Sequence, residues 1–307
     1  MDYLWIIAAA SAALFQALRY AALKELNKHL SAMVTGYTRV LFALPLLLMH
    51  LGVVAHVTAK PLPAITPWFV VLAGLGSIGQ FLGTVLMVRL FQIGNFAVGT
   101  MLAKADAVMT AIIGSLLFSE VISRAGWVAI LVTVAGVMVV SLGRLPRSTW
   151  RNSGISLSGV LLSPATRIGL LIALVNAVSY LLLREAILTL KSPGGPIVDA
   201  AIAGTVMTAL SVAFLTIWLY ATERDDMLRI RQHLRLGCFI GIASALGTGL
   251  WFIATALTNA SYVAAVAQVQ VVFALAISYY WFREKVLPLE LAGIATILAG
   301  VLLFKLV

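Results

Sequence analysis

The chain has 307 residues, 62% of them hydrophobic and 10% charged, with a formal net charge of +10. A soluble domain is about a quarter charged, so this composition describes a membrane protein. The basic residues sit in short loops between apolar runs, where they set orientation rather than form a nucleic-acid surface, and no nucleic-acid partner is expected. The single cysteine, Cys238, excludes a disulfide framework and a thiolate metal site within one chain.

The first apolar run, residues 3–22, does not read as a signal peptide. Asp2 replaces a basic leader, and the run continues past Gln16 to Arg19 without a cleavage site. Apolar segments of ~17–25 residues suit one helical crossing each, and ten can be drawn. Those of the first half are residues 3–22, 32–54, 68–88, 96–118 and 125–142; those of the second half are 168–188, 197–220, 236–257, 262–282 and 287–306. Turn residues and charges separate them: Lys24 to His29, Lys60-Pro61-Leu62-Pro63, Gly94-Asn95, Ser192-Pro193-Gly194-Gly195-Pro196 and Thr258-Asn259. The alternation of a transmembrane barrel is missing. The longest connection, residues 143–167, is a loop expected to include a surface-lying segment around Ile155 to Leu162.

The halves repeat. A shift of 164 places FSE at 118–120 on FRE at 282–284, Ala135-Gly136 on Ala299-Gly300, Asn95 on Asn259, and Leu82-Gly83-Thr84 on Leu246-Gly247-Thr248. A shift of 165 places Arg19 on Arg184. Several matches in one register mark an internal repeat. Five spans per half is an odd number, so the second half sits upside down relative to the first. That is the inverted-repeat plan of many secondary transporters. The expected fold is an all-α integral membrane protein of ten transmembrane helices in two inverted five-helix repeats, residues 1–142 and 168–307, joined by the loop 143–167.

LLFSE at 116–120 with AGVMVV at 135–140, and YWFRE at 280–284 with AGVLLF at 299–304, carry a likeness to a known family. Across essentially its whole length the chain resembles the drug/metabolite transporter superfamily, and within it the EamA-type bacterial branch. The resemblance implies a transporter in the bacterial inner membrane, and export of amino-acid-like metabolites or amphiphilic drugs. Many members carry a proline near Ala107, where this chain reads KADA and, in the second half, QVQV.

The fourth span reads as one long apolar helix holding Lys104 and Asp106 near its middle. A charge at the bilayer centre costs at least ~2.5–3.5 kcal/mol on insertion scales, so a chain that keeps two has a use for them. Two residues apart on a helix, they face different neighbours. Thr100 lies one turn before Lys104 and Thr110 one turn after Asp106. Their repeat counterparts are Gln268 and Gln270. One reading makes these residues a substrate or ion site, charged in one half and amide-lined in the other. The plainer reading has Lys104 and Asp106 neutralised by neighbouring helices and fixing packing only. Arg39 enters from the same face as Lys104 and is open to either a pairing with Asp106 or a substrate role. Arg19 and Arg184 are expected to snorkel to the interface. Gln16, Tyr37, Gln80, Asn176, Tyr180, Trp251 and Tyr262 fill out a cavity, though each by itself also fits packing. Gly76, Gly79 and Gly83, with Gly241, Gly247 and Gly249, allow close helix approach. Glu120 and Glu284 end their helices, where a carboxylate opposes the dipole, and loop cations such as Arg124 and Lys285 are the expected partners.

No HExxH, Walker loop, GxSxG or cysteine pair is present, so no enzyme, cofactor or ATP-driven mechanism is expected. Thirteen lysines and arginines outside the spans lie on the face of loops 1–2, 3–4, 5–6, 7–8 and 9–10, and four on the face holding both termini. The positive-inside rule puts both termini outside; the resemblance implies both inside. The functional expectation is a secondary transporter of a small organic solute, with an anionic group suited to Lys104 and Arg39. It would work by alternating access around a cavity walled mainly by spans three, four, eight and nine, with Asp106 as the proton-linked carboxylate. The alternative is a membrane scaffold or intramembrane enzyme. Partners are the solute and the bilayer, for a monomer or homodimer.

Overall fold

The structure, a computed structural model, describes residues 3–92, 103–143, 164–282 and 287–306. Lipid offers no hydrogen-bond partners, so an apolar chain must satisfy its backbone within helices. Among the described residues there is no strand, and nine helical segments are long and apolar enough to cross a membrane. The first half holds α1 (Leu4–Leu26), α2 (Ala32–Thr58), α3 (Pro67–Gln92), the short α4 (Asp106–Leu117) and α5 (Arg124–Gly143). The second holds α6 (Pro164–Leu190), α7 (Pro196–Thr222), the short α8 (Arg224–Arg229), α9 (Leu234–Leu257), α10 (Ala260–Val266), α11 (Gln270–Phe282) and α12 (Pro288–Leu303). The predicted surface segment around Ile155 to Leu162 lies outside the described residues, as do Gly94, Asn95, Glu284 and Lys285.

Local sequence explains most boundaries. Ser31 caps α2, its Oγ accepting from Val34 N at 3.2 Å. Pro196 starts α7 directly after Gly195, whose φ of 85° suits glycine. Ser31 N also donates to Asp226 at 2.5 Å, and His29 stacks on His233 with ring centroids 4.8 Å apart. The 1–2 and 7–8 loops are thereby joined across the two halves.

The fourth and ninth spans depart from the single continuous helix expected for each. Lys104 and Ala105 form a turn, and the α-helix starts at Asp106. At the same register of the repeat, Ala267–Val269 forms a 3₁₀ turn between α10 and α11. Both breaks lie mid-span, with no proline or glycine to cause them. A mid-helix change of winding marks strain or a hinge. Lys104 and Asp106 therefore do not sit on one straight helix, and the expected angle between them does not apply.

Packing follows the repeat. α5 lies along α12, and α2 along α7, each an element paired with its own counterpart. The α3–α6 pair has the α9–α1 pair as its equivalent in the other half. This exchange of partners is what two inverted halves about a pseudo-two-fold axis require. The α5–α12 seam is backbone against backbone. A Cβ on Gly136 would stand 2.6 Å from Ile297 N, and one on Gly300 would stand 2.7 Å from Thr133 N. Small residues let helices in lipid approach this closely. At the α3–α6 seam, a Cβ on Gly76 would meet the Leu183 side chain at 2.8 Å.

Candidate functional site

The helices line a cavity of about 90 Å³ that is open on one side. Its polar lining comes as short stripes, one per helix. α1 supplies Gln16 and Arg19, α3 Ser77 and Gln80, α7 Thr208 and Ser211, and α9 Ser244, Thr248 and Trp251. Spacings of three and four keep each stripe on one helix face. Arg39 from α2 and Tyr180 from α6 complete the wall. Tyr180 and Trp251 hold their ring centroids 5.0 Å apart and tilted by 47°.

Among the described lining residues there is no carboxylate. Arg19 is buried, 6% exposed, and its Nε has no hydrogen-bond partner. Its guanidinium lies 5.2 Å from the Tyr20 ring centroid, a cation–π contact. The expected snorkelling of Arg19 is therefore corrected: the side chain turns into the protein, not to the interface.

A second cluster joins the two helix breaks. Gln268 Nε2 donates to Asp106 Oδ1 at 2.9 Å, and the same oxygen accepts from Ala107 N at 2.9 Å. Thr110 Oγ1 donates to the Asp106 carbonyl at 2.6 Å. Asp106, Gln268 and Gln270 are buried, and Gln268 Oε1 is left without a partner. Lys104 is half-buried beside them. Among the described residues neither Lys104 nor Arg39 forms an ion pair with Asp106; the amide of the opposite repeat is its partner. Tyr180 and Trp251 pack against the apolar cluster that includes Ala107 and Ala111, so α4 backs this end of the cavity without lining it.

A third cluster lies on the face of the termini. Glu120, just past α4, is 4% exposed. Its carboxylate accepts from Ala260 N at 2.7 Å and from Ser261 Oγ, both at the N-terminus of α10. Arg184 Nε stands 3.6 Å away and donates to the Thr258 carbonyl at 3.1 Å. An Arg184 terminal nitrogen donates to Asn259 Oδ1 at 3.2 Å, and Asn259 Nδ2 donates to the Val121 carbonyl at 3.0 Å. Glu120 thus opposes the dipole of its own helix but complements that of α10. Arg184, rather than Arg124, is its partner, so neither residue follows its expectation of a loop pairing or of snorkelling.

The structure thus brings Arg39, Gln80, Tyr180 and Trp251 to one cavity, and Asp106, Gln268 and Gln270 to the adjoining break cluster. Tyr37 lines neither; its hydroxyl is 2.7 Å from Thr216 Oγ1 of α7. Thr100 lies outside the described residues. The wall expected from spans three, four, eight and nine comes instead from spans one, two, three, six, seven and eight, and no described residue of spans four or nine lines it. The hydroxyls Ser77, Thr208, Ser211, Ser244 and Thr248 also line the wall, and the sequence signals them only through their spacing along single helix faces.

A family profile described as the EamA-like transporter family matches residues 3–142 and again residues 167–306. The chain belongs to that family. It is therefore a multi-pass membrane transporter of the drug/metabolite type, acting on a small-molecule solute. No curated protein matches this EamA-like chain. A solved structure described as "Crystal structure of protein" is 12% identical and covers 100% of this chain and 98% of its own, at a TM-score of 0.71. At that identity the likeness concerns the fold.

Proposed function

We propose that this EamA-like chain is a secondary active exporter of a small organic metabolite or drug-like solute in the bacterial cytoplasmic membrane. It works by alternating access around the cavity between its two repeats, residues 1–142 and 168–307. One observation carries this reading. The cavity wall is built from the first, second and third helices of each half, α1, α2 and α3 with α6, α7 and α9. A site on the pseudo-two-fold axis is exposed to one face or the other as the halves rock. The paired mid-span breaks at Lys104-Ala105 and Ala267–Val269 supply hinges where such motion needs them.

Asp106 is the proton-linked carboxylate in this reading. It is buried, bridges the repeats through Gln268, and lies next to the Tyr180 end of the cavity. Loss of its charge on protonation weakens a charge-assisted hydrogen bond across the repeat interface, so its proton occupancy is linked to how the halves meet. Purified protein in proteoliposomes, challenged with a panel of organic solutes, tests the proposal. Saturable flux that rises with a proton gradient is the expected result, and Asp106→Asn removes the gradient dependence. Absence of saturable movement for every solute class refutes transport. Flux with unchanged rate and pH dependence in Asp106→Asn removes this residue from the mechanism.

A further inference from the structure

We infer that the solute is an organic anion whose acidic group sits between Arg19 and Arg39 and whose flat apolar body lies against Tyr180 and Trp251. This rests on the transporter reading above and names its substrate class. Two arginines at nearly the same place in the repeat, offset by 165 rather than 164, stand in different surroundings. Arg184 has three partners: Glu120 at 3.6 Å, the Thr258 carbonyl at 3.1 Å and Asn259 Oδ1 at 3.2 Å. Arg19, its counterpart, is 6% exposed, with an Nε that meets no acceptor. A buried cation with no anion paired to it among the described residues is costly, and a second one beside it raises the cost. Arg39 nevertheless lines the same cavity, and among the described residues no carboxylate lines it. Asp106, the acid at the neighbouring break, is held by Gln268 Nε2 and Ala107 N.

Among the described residues this wall holds no negative charge, and the cavity is open for one to arrive. The guanidinium fork of arginine suits a carboxylate or phosphate oxygen pair. The rest of the recognition follows from depth. Arg19 precedes the end of α1 at Leu26 by seven residues, and Arg39 follows the start of α2 at Ala32 by seven, so both lie ~10 Å in from that face. Trp251 follows the start of α9 at Leu234 on the same face by seventeen, or ~25 Å. The two cations therefore sit shallower and the ring pair deeper, with the hydroxyls of Ser211, Ser244 and Thr248 between the helices. A solute with a charged head and a flat apolar body matches this polarity.

The test uses the full chain in detergent with 3-phenylpropionate, its neutral amide, phenylpropylamine and acetate at matched ionic strength. Thermal unfolding and equilibrium binding are the readouts. The carboxylate is expected to raise the melting temperature saturably and to bind about tenfold or more tightly than the amide. Acetate and the amine should give no saturable shift. Arg19→Met is the deciding variant. Removing a buried charge that no described anion neutralises leaves the unliganded protein as stable as the parent or more so, while the shift from 3-phenylpropionate disappears. Arg39→Gln weakens the same ligand, and Arg231→Gln, an exposed loop cation, leaves it unchanged. A lower melting temperature in Arg19→Met with the carboxylate shift intact overturns the inference, since Arg19 is then structural. Equal shifts from acetate and 3-phenylpropionate also overturn it, leaving an inorganic-type counter-ion site. The transporter reading is read separately, from flux. Saturable movement of neutral or cationic solutes by protein that binds no carboxylate removes the anion and keeps transport. Carboxylate binding without flux does the reverse.

Discussion

Replacing Glu120 by Gln keeps the shape of the side chain and removes the charge that ties the two repeats together on the face of the termini. The carboxylate is fully buried at the side-chain level. It accepts from Ala260 N at 2.7 Å and from the Ser261 hydroxyl, the first residues of α10, with Arg184 3.6 Å away. A hydrogen bond to a charged group contributes ~1.5–3 kcal/mol, and a carboxylate at a partly buried helix N-terminus up to ~2 kcal/mol. The amide retains one acceptor oxygen, so the loss is set at ~2–3 kcal/mol rather than their sum, or roughly 30- to 150-fold in an equilibrium. Two measurements share that loss. If the contact persists throughout the cycle, the whole of it appears as a lower melting temperature. If the contact opens for transport, part of it appears as a shift towards the state open on this face. A Thr248→Cys reporter in the cavity, in a Cys238→Ser background, reads the second by reaction with an impermeant maleimide added from the side of the termini. Glu120→Gln is expected to melt lower, to label faster, or both, with the combined effect near the stated factor. Parental melting together with parental labelling refutes the reasoning, because a buried charge with these partners cannot be removed at no cost.

Gly300→Ala is expected to cost ~1–3 kcal/mol by overpacking, because the new Cβ would stand 2.7 Å from Thr133 N and 2.9 Å from its Cα; thermal unfolding reads it. Tyr37→Phe removes the contact with Thr216 at 2.7 Å and should lower stability by ~0.5–1.5 kcal/mol while leaving solute affinity unchanged in a binding isotherm. Gly114→Ala places a Cβ 2.8 Å from a Glu120 carboxylate oxygen and should reproduce the Glu120→Gln labelling phenotype in weaker form. A C-terminal reporter enzyme that is active only outside the cytoplasm should be active, as the excess of loop cations on the opposite face requires; a silent reporter reverses the orientation.

Much of this architecture is legible in one dimension because lipid removes alternatives. An apolar stretch of crossing length must be a helix, so hydropathy locates spans without any knowledge of their neighbours. Five spans per half then force the second half upside down. The register matches Asn95 with Asn259 and FSE with FRE announce that half as a copy. Polar side chains inside spans marked Arg39, Gln80, Tyr180 and Trp251 as candidates, and the cavity gathers them.

What the sequence left open is direction and partnership. Tyr37 is as polar as Tyr180, yet it bonds to Thr216 outside the cavity wall. The rotations of α2 and α6 about their axes separate the two cases, and those rotations are set by the helices packed around them. KADA contains no helix breaker, so its turn cannot be read locally. The buried bond between Asp106 and Gln268 at 2.9 Å joins two breaks 162 residues apart in the chain, and both positions depend on how the halves meet. Glu120 and Ala260 are 140 residues apart; a carboxylate unfavourable to its own helix becomes the cap of another only once folding sets the two ends side by side. Arg19 and Arg184 show the same limit most plainly. Residue type and a near-matching place in the repeat make them look alike, and the tertiary structure surrounds one with acceptors and leaves the other facing a cavity. Periodicity and hydropathy are sums over neighbours in the chain, whereas the partner of a buried charge is a neighbour in space.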